Sequence, residues 1–316
     1  MTFRWFKTMA AVCTVAFVAA CGGSDDEPAP APAPRNIVQV AQGNANLSIL
    51  VEAVVAADLA TTLSGAGPYT VFAPTDAAFA SLLAELGVTK AQLLANRPLL
   101  TQVLTYHVLP ARVPAAAVPA GQAITTVEGG IFKIDAAAGG ALVITDGRNR
   151  RANITQTDVA ASNGVIHVID KVLLPANRNI VQTAQASADF TVLVEAVVAA
   201  NLVPTLQGAG PFTVFAPTDA AFAALLAELG VTKTALLANT ALLTKVLTYH
   251  VVPGRVLAAN VPVGAPITTV QGETFSVNAS LVITDRRGRT ANIVATDVLA
   301  SNGVIHVVDR VILPAP

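Results

Sequence analysis

Apolar positions along this chain follow a helical rhythm first and a strand rhythm later, and the change happens twice. From Ser48 to Ala60 apolar residues recur at helical spacing with Glu52 and Asp58 between them, which predicts an amphipathic helix. The glycine-bearing stretch Ser64 to Pro68 breaks it. Tyr69 to Ala73 is a short β-type run, closed by Pro74, which has no N–H for a ladder. Thr75 is a good N-cap, and Asp76 suits the positive end of a helix that runs to Leu86 and stops at Gly87. Thr89 caps a further helix over Lys90 to Ala95. Asn96 caps another, with Pro98 in its first turn, reaching towards Tyr106. From Val108 the pattern turns β-like, as in Ala141-Leu142-Val143-Ile144-Thr145, and Asn163-Gly164 between two such runs predicts a hairpin. Helices early and strands late imply an α+β fold.

The same order then returns. Asn36-Ile37-Val38-Gln39 reappears as Asn179-Ile180-Val181-Gln182, and Thr70 to Phe79 as Thr213 to Phe222, both at an offset of 143 residues. Beyond Val127 and Val270 the second copy is four residues shorter, so that Ser162 to Val168 matches Ser301 to Val307 at an offset of 139. Solenoid units repeat at about 20–50 residues, so a period this long is a duplicated domain. The repeat divides the chain into a first domain over 35–176 and a second over 177–316, joined by Pro175-Ala176-Asn177-Arg178.

The segment before the repeat has a different character. Arg4 and Lys7 precede an apolar stretch from Thr8 to Ala20, of signal-peptide length and too short to span a bilayer comfortably. Small residues then lead into Cys21, as in a lipobox, which predicts a signal peptide over 1–20 and lipid attachment at Cys21; the plainer alternative is ordinary cleavage after Ala20. Residues 21–34 continue as glycine, acidic residues and alternating proline, a composition that favours an extended tether over a core. Cys13 lies inside the predicted signal, so no thiol is left for a disulfide, a zinc site or catalysis. The partner implied for this end is a membrane, reached through lipid on Cys21, which would place the protein in the cell envelope on a periplasmic or outer-membrane face.

Composition narrows the function. Charged residues make up only 12% of the chain and the net charge is −1. Removing Arg4 and Lys7 leaves 17 basic against 20 acidic residues, without the basic footprint that nucleic acid requires. There is no nucleophile elbow, no phosphate-binding loop and no dinucleotide fingerprint. No cofactor and no metal site is expected.

Three motifs, each present twice, carry a family resemblance. TVFAPTDAAF at 70–79 and 213–222 resembles the first signature of fasciclin-like domains; NGVIHVIDKVLLP at 163–175 and NGVIHVVDRVILP at 302–314 resemble the second. Tyr106-His107 and Tyr249-His250 between them resemble the family's Tyr-His motif. The resemblance implies two tandem domains, each a sandwich or wedge of about seven strands with several helices packed on it. It also implies a role in cell adhesion or matrix contact, and not an enzyme. A structural envelope protein that organises protein partners is the alternative, and a glycan-processing enzyme with two carboxylates converging in a cleft is a weaker one.

Two sets of side chains are candidates for a site. His107, His167, His250 and His306 lack metal-type spacing, and His167 shares a strand face with Val165 and Ile169. They read as buried structural histidines, or, for the Tyr-His pairs, as a partner-contact surface or pH switch. The second set is a basic loop: Arg148, Arg150 and Arg151 after Asp146 in the first copy, and Arg286, Arg287 and Arg289 after Asp285 in the second. Arginine pairs bidentately with carboxylate and phosphate, so these loops read either as solvated hairpin tips or as sites for an acidic polysaccharide or lipid headgroup.

Overall fold

The computed structural model describes residues 33–316, so the predicted signal peptide, Cys21 and nearly all of the tether lie outside the described residues. Each domain opens with helices. In the first these are α1 (Ile37–Gln42), α2 (Ser48–Ala56) and α3 (Ala60–Ser64), followed by β1 (Tyr69–Pro74), α4 (Asp76–Leu86), α5 (Lys90–Ala95), α6 (Arg97–Tyr106) and β2 (Val108–Leu109). The strand-rich half is β3 (Ala123–Thr125), β4 (Ile131–Ala136), β5 (Leu142–Thr145), β6 (Arg151–Ala161) and β7 (Gly164–Ile169). The second domain repeats the order: α7 (Ile180–Gln185), α8 (Thr191–Ala199), α9 (Val203–Leu206), β8 (Phe212–Pro217), α10 (Asp219–Leu229), α11 (Lys233–Ala238), α12 (Thr240–Tyr249) and β9 (Val251–Pro253). It closes with β10 (Pro266–Thr268), β11 (Thr274–Val277), β12 (Val282–Thr284), β13 (Thr290–Ala300) and β14 (Gly303–Val308).

The helix boundaries follow their caps. Thr75 accepts from the Ala78 N–H, Thr89 from Gln92 and Asn96 from Leu99, and Gly87 closes α4 in the left-handed region at φ 65°. One helix differs from its pattern: the apolar run from Ser48 does not continue unbroken to Ala60. Asp58 takes φ 60° and splits it into α2 and α3; its counterpart Asn201 does the same at φ 55°. Asp and Asn tolerate this region better than other side-chain-bearing residues, so the substitution between copies preserves the break.

Each domain has a seven-stranded sheet, ordered β2-β1-β7-β6-β5-β4-β3 in the first and equivalently in the second. All pairings are antiparallel except β1 with β7 and β8 with β14. The long β6 joins the two halves of the sheet: Arg151 to Asn153 pair with β5, and Ile154 to Ala161 pair with β7. The parallel pair unites the two signature motifs, which lie far apart in sequence: Thr70 stands beside Val165, Phe72 beside His167 and Pro74 beside Ile169.

Apolar residues of the helices and one sheet face form one core, with Phe79, Leu100, Leu104 and Ile166 at its centre. A second cluster around Phe72, Tyr106, Phe132 and Ile144 fills the other side of the sheet. There Phe132 meets Phe72 edge-on at 5.1 Å and Tyr106 at 5.9 Å.

The Asn-Gly hairpin forms, but its mechanics differ from a turn centred on that pair. The connecting residues are Ser162 and Asn163, since Ala161 already pairs with Gly164. Asn163 is a buried anchor: its Oδ1 accepts from the Ile37 N–H at 2.9 Å, and its Nδ2 donates to the carbonyls of Leu63 at 2.8 Å and Gly65 at 2.7 Å. Gly164 is required by close approach, because a Cβ there would collide with the Tyr69 carbonyl.

Candidate functional site

The Tyr-His pairs lie in the interior. Tyr106 and Tyr249 are 0% exposed, His107 is 1% and His250 is 2%, so none offers a contact surface. Tyr106 Oη donates to the Ile131 carbonyl and accepts from the Gly147 N–H at 2.8 Å, which ties β4 to the start of the basic loop. Tyr249 Oη donates to the Thr274 carbonyl at 2.9 Å. His107 Nε2 accepts from the Leu173 N–H at 2.9 Å, which leaves Nδ1–H to donate to the Val103 carbonyl at 2.7 Å. This arrangement requires neutral imidazole, and burial lowers the pKa of His107 and of His250 to about 4. Burial likewise pushes the Tyr249 phenol up to about 12 and raises that of Tyr106. The motif is therefore a clasp on the irregular tail that follows β7.

His167 and His306 are 0% exposed and serve a similar end. His167 Nε2–H donates to the Val113 carbonyl at 2.9 Å and Nδ1 accepts from the Asp158 N–H at 3.3 Å; His306 repeats this with Val256 and Asp297. Among the described residues no group of three or more His, Cys, Asp or Glu side chains could hold a metal ion.

The basic loops are built around a buried aspartate. Asp146, 1% exposed, accepts from the backbone N–H groups of Arg148 and Arg150 and from that of Leu174 at 3.0 Å. Arg150 donates to Asp146 and to the Val172 carbonyl and pairs with Glu85 at 2.9 Å; Arg289 pairs with Glu228 at 2.8 Å. Arg148 Nε donates to the Pro175 carbonyl and Arg287 Nε to that of Pro314. Two of the six arginines, Arg150 and Arg289, thus form close ion pairs within their own domain, Arg286 lies 3.9 Å from Glu273, and Arg148 and Arg287 clip the C-terminal tail of their domain. Arg151, Arg286 and Arg287 remain exposed. The loop that the sequence presents as one cationic cluster is in large part internal scaffolding, because an Asp two to four residues away captures its backbone.

The chemistry that sequence reasoning missed lies between the domains. Lys133, in β4, reaches Asp297 in β13 at 2.9 Å, with side chains 12% and 3% exposed. Burial pulls the Lys133 pKa down, but the hydrogen bond and charge of Asp297, joined by Asp135, outweigh it and raise it above the ordinary value. Asn149 closes the free edge of β13: its Oδ1 accepts from the Leu299 N–H at 2.7 Å and its Nδ2 donates to the Leu299 carbonyl at 3.0 Å. Ile131 packs with Leu257, Leu299 and Val304 in a small buried cluster.

The duplication shows that this seam is written once. On the open end of the second domain, the positions of Ile131, Lys133 and Asn149 are Thr274, Ser276 and Gly288. On the open end of the first, the positions of Leu257 and Leu299 are Pro114 and Ala160, and Asp158, the counterpart of Asp297, is exposed. The only sequence signal for the seam was this divergence between the two copies, which differ at many other positions as well.

A seven-stranded sheet whose two signature strands run parallel, packed by an N-terminal set of helices and repeated in tandem, defines a fasciclin-type domain pair. The chain belongs to the fasciclin family: the fasciclin domain model matches residues 45–175 and 188–314. It is similar to protein sll1483 of Synechocystis, with 46% identity over 150 residues that cover 46% of this chain and 79% of that protein. It is also similar to pig transforming growth factor-beta-induced protein ig-h3, with 32% identity over 254 residues. That alignment covers 80% of this chain but only 35% of the larger protein. A solved FAS1 domain pair from the insect cell adhesion molecule fasciclin I aligns over 83% of this chain and 95% of its own length, at 19% identity and a TM-score of 0.43.

Proposed function

We propose that this protein is an adhesion module of the cell envelope, held to a membrane by lipid on Cys21 and presenting its two fasciclin domains on the 21–34 tether to a matrix or surface ligand. Family membership over both domains carries the reading, since fasciclin-domain proteins are implicated in adhesion and matrix-type contacts. The buried Lys133–Asp297 pair supports it physically, because it would hold both domains as one rigid display surface. Two fixed copies engaging together would add avidity through effective concentration.

Arg151, Arg286 and Arg287 are the arginines of the basic loops left exposed, so an acidic glycan or a headgroup would meet them first. Beads coated with the purified chain should adhere to cells or to immobilised acidic glycans, and adhesion should weaken as salt rises. Absence of adhesion to cells, glycans and matrix alike refutes the reading; adhesion that survives Arg151→Gln, Arg286→Gln and Arg287→Gln together moves the contact away from the loops. For the anchor, Cys21→Ala should release the protein from the membrane fraction.

A further inference from the structure

One cavity can be read against its own duplicate. In the second domain Glu273 sits beneath the C-terminal strap. Its Oε2 accepts from the Ala315 N–H at 2.7 Å, Gln271 Nε2 donates to its Oε1 at 3.2 Å, and Arg286 Nε approaches Oε2 at 3.9 Å. The positions of Glu273 and Arg286 in the first domain are Gly130 and Gly147, so both members of that charged pair are missing there. The Ala176 backbone packs against Gly147, where Arg286 carries its side chain, and a cavity of about 370 Å³ lies beside it, lined by Gly130, Gly147 and Ala176 on one side and by Arg255 and Ser301 of the second domain on the other.

Two donors in this cavity lack what their surroundings would normally supply. The Ala176 N–H, counterpart of the Ala315 N–H that Glu273 accepts, has no acceptor among the described residues. Arg255 Nε is buried without a hydrogen-bond partner, whereas the equivalent Arg112 is exposed. Glu128 also lines the cavity, but its own domain holds it: Oε1 accepts from Gln102 Nε2 and Oε2 from the Gly130 N–H.

We propose that this interdomain cavity binds a sugar carboxylate, held by the Arg255 guanidinium and the Ala176 N–H, with the sugar hydroxyls turned towards Glu128, which stands where the second domain has the donor Gln271. A guanidinium fork is matched to a carboxylate. The volume falls within the range of about 300–1,000 Å³ usual for small-molecule sites. The Ser301 hydroxyl and Glu128 carboxylate suit a hydroxyl-rich ligand better than an apolar peptide side chain, and Glu128 opposes a phosphate dianion more strongly than a carboxylate monoanion whose hydroxyl end faces it. The inference goes beyond the adhesion reading and does not depend on it, since it concerns the seam and not the exposed arginines.

The test is calorimetric titration of the purified chain with galacturonate, galactose, inorganic phosphate and acetyl-dialanine. Saturable binding of galacturonate, with galactose, phosphate and the peptide weaker, is expected. Arg255→Gln should weaken it about 10-fold or more. The double variant Glu128→Gln with Gly130→Glu recreates the Gln271–Glu273 pair, supplies the carboxylate from the chain itself and should abolish binding while the thermal transition holds or rises. Failure to bind galacturonate, equal binding of galactose or phosphate, tighter binding of the peptide, or full affinity in either variant overturns the proposal. Because bead adhesion is read separately, loss of one result leaves the other standing.

Discussion

Replacing Lys133 by methionine removes the cation at the seam and keeps most of the stem. At 2.9 Å from Asp297 and an effective dielectric near 20, the attraction is about 6 kcal/mol. Desolvation of the two ions opposes it by several kcal/mol each, so the net worth of the pair is far smaller than its attraction. The cost of the substitution is set instead by what it strands. Asp297, 3% exposed, stays fixed by the Ala258 N–H at 2.8 Å and loses its counter-charge. Breaking a buried pair in this way costs about 3–5 kcal/mol, and the lower end applies because Asp297 keeps one donor and Lys133 is 12% exposed. Scanning calorimetry should show the coupled transition of the two domains splitting or falling, and Lys133→Met with Asp297→Leu should recover most of the loss. The pH dependence has a defined sign: a lysine pKa raised by folding stabilises below its ordinary 10.5, and that stability is lost as pH rises through the raised value. A change in K133M below about 0.5 kcal/mol with an unsplit transition, the behaviour of an exposed ion pair, would refute the reasoning.

Other predictions follow from the same geometry. His107 and His250 are held neutral with pKa about 4, below the ordinary 6.5, so each should contribute stability that is complete above pH 6.5 and lost as pH falls towards 4, by about 3 kcal/mol per histidine. Urea melts that stay flat between pH 6.5 and 5, before most carboxylates titrate, would contradict this. Gly164→Ala and Gly303→Ala drive a methyl into the carbonyls of Tyr69 and Phe212, so circular dichroism should report unfolding of the affected domain at room temperature. Asn163→Ala strands the Ile37 N–H and the Leu63 and Gly65 carbonyls and should lower stability by about 3 kcal/mol or more in denaturant melts, whereas Ser162→Ala, on the exposed side of the same hairpin, should change little.

What the sequence disclosed and what it withheld divide along the range of the interactions. Caps are local, and Thr75, Thr89, Asn96 and Gly87 act where their residue types indicate. The strand alternation around His167 placed that ring inside, as the structure does. The apolar run over α2 and α3 concealed a break, because Asp58 is compatible with both a helix surface and a left-handed turn. The basic loops looked like one cationic cluster because composition does not show that Asp146 and Asp285 fold inward beneath them. The pairing at the seam was not legible for a stronger reason: Lys133 and Asp297 are 164 residues apart and meet only once both domains are built and docked, so divergence between the copies marks the positions but not their partners. Neither residue is unusual in its own strand.

The single-use seam has a consequence for how many molecules can join. A head-to-tail contact between like units has no intrinsic stopping point, and repeated it yields a ring or an open fibre. Here the contact joins two copies of one domain, so both faces of an end-to-end contact occur in one chain. Serine in place of lysine at one open end, and proline and alanine in place of leucines at the other, remove from those ends the groups that the seam uses. Restoring the missing partners, with Thr274→Ile, Ser276→Lys and Gly288→Asn on one end and Pro114→Leu and Ala160→Leu on the other, would convert a closed pair into a monomer for filament growth.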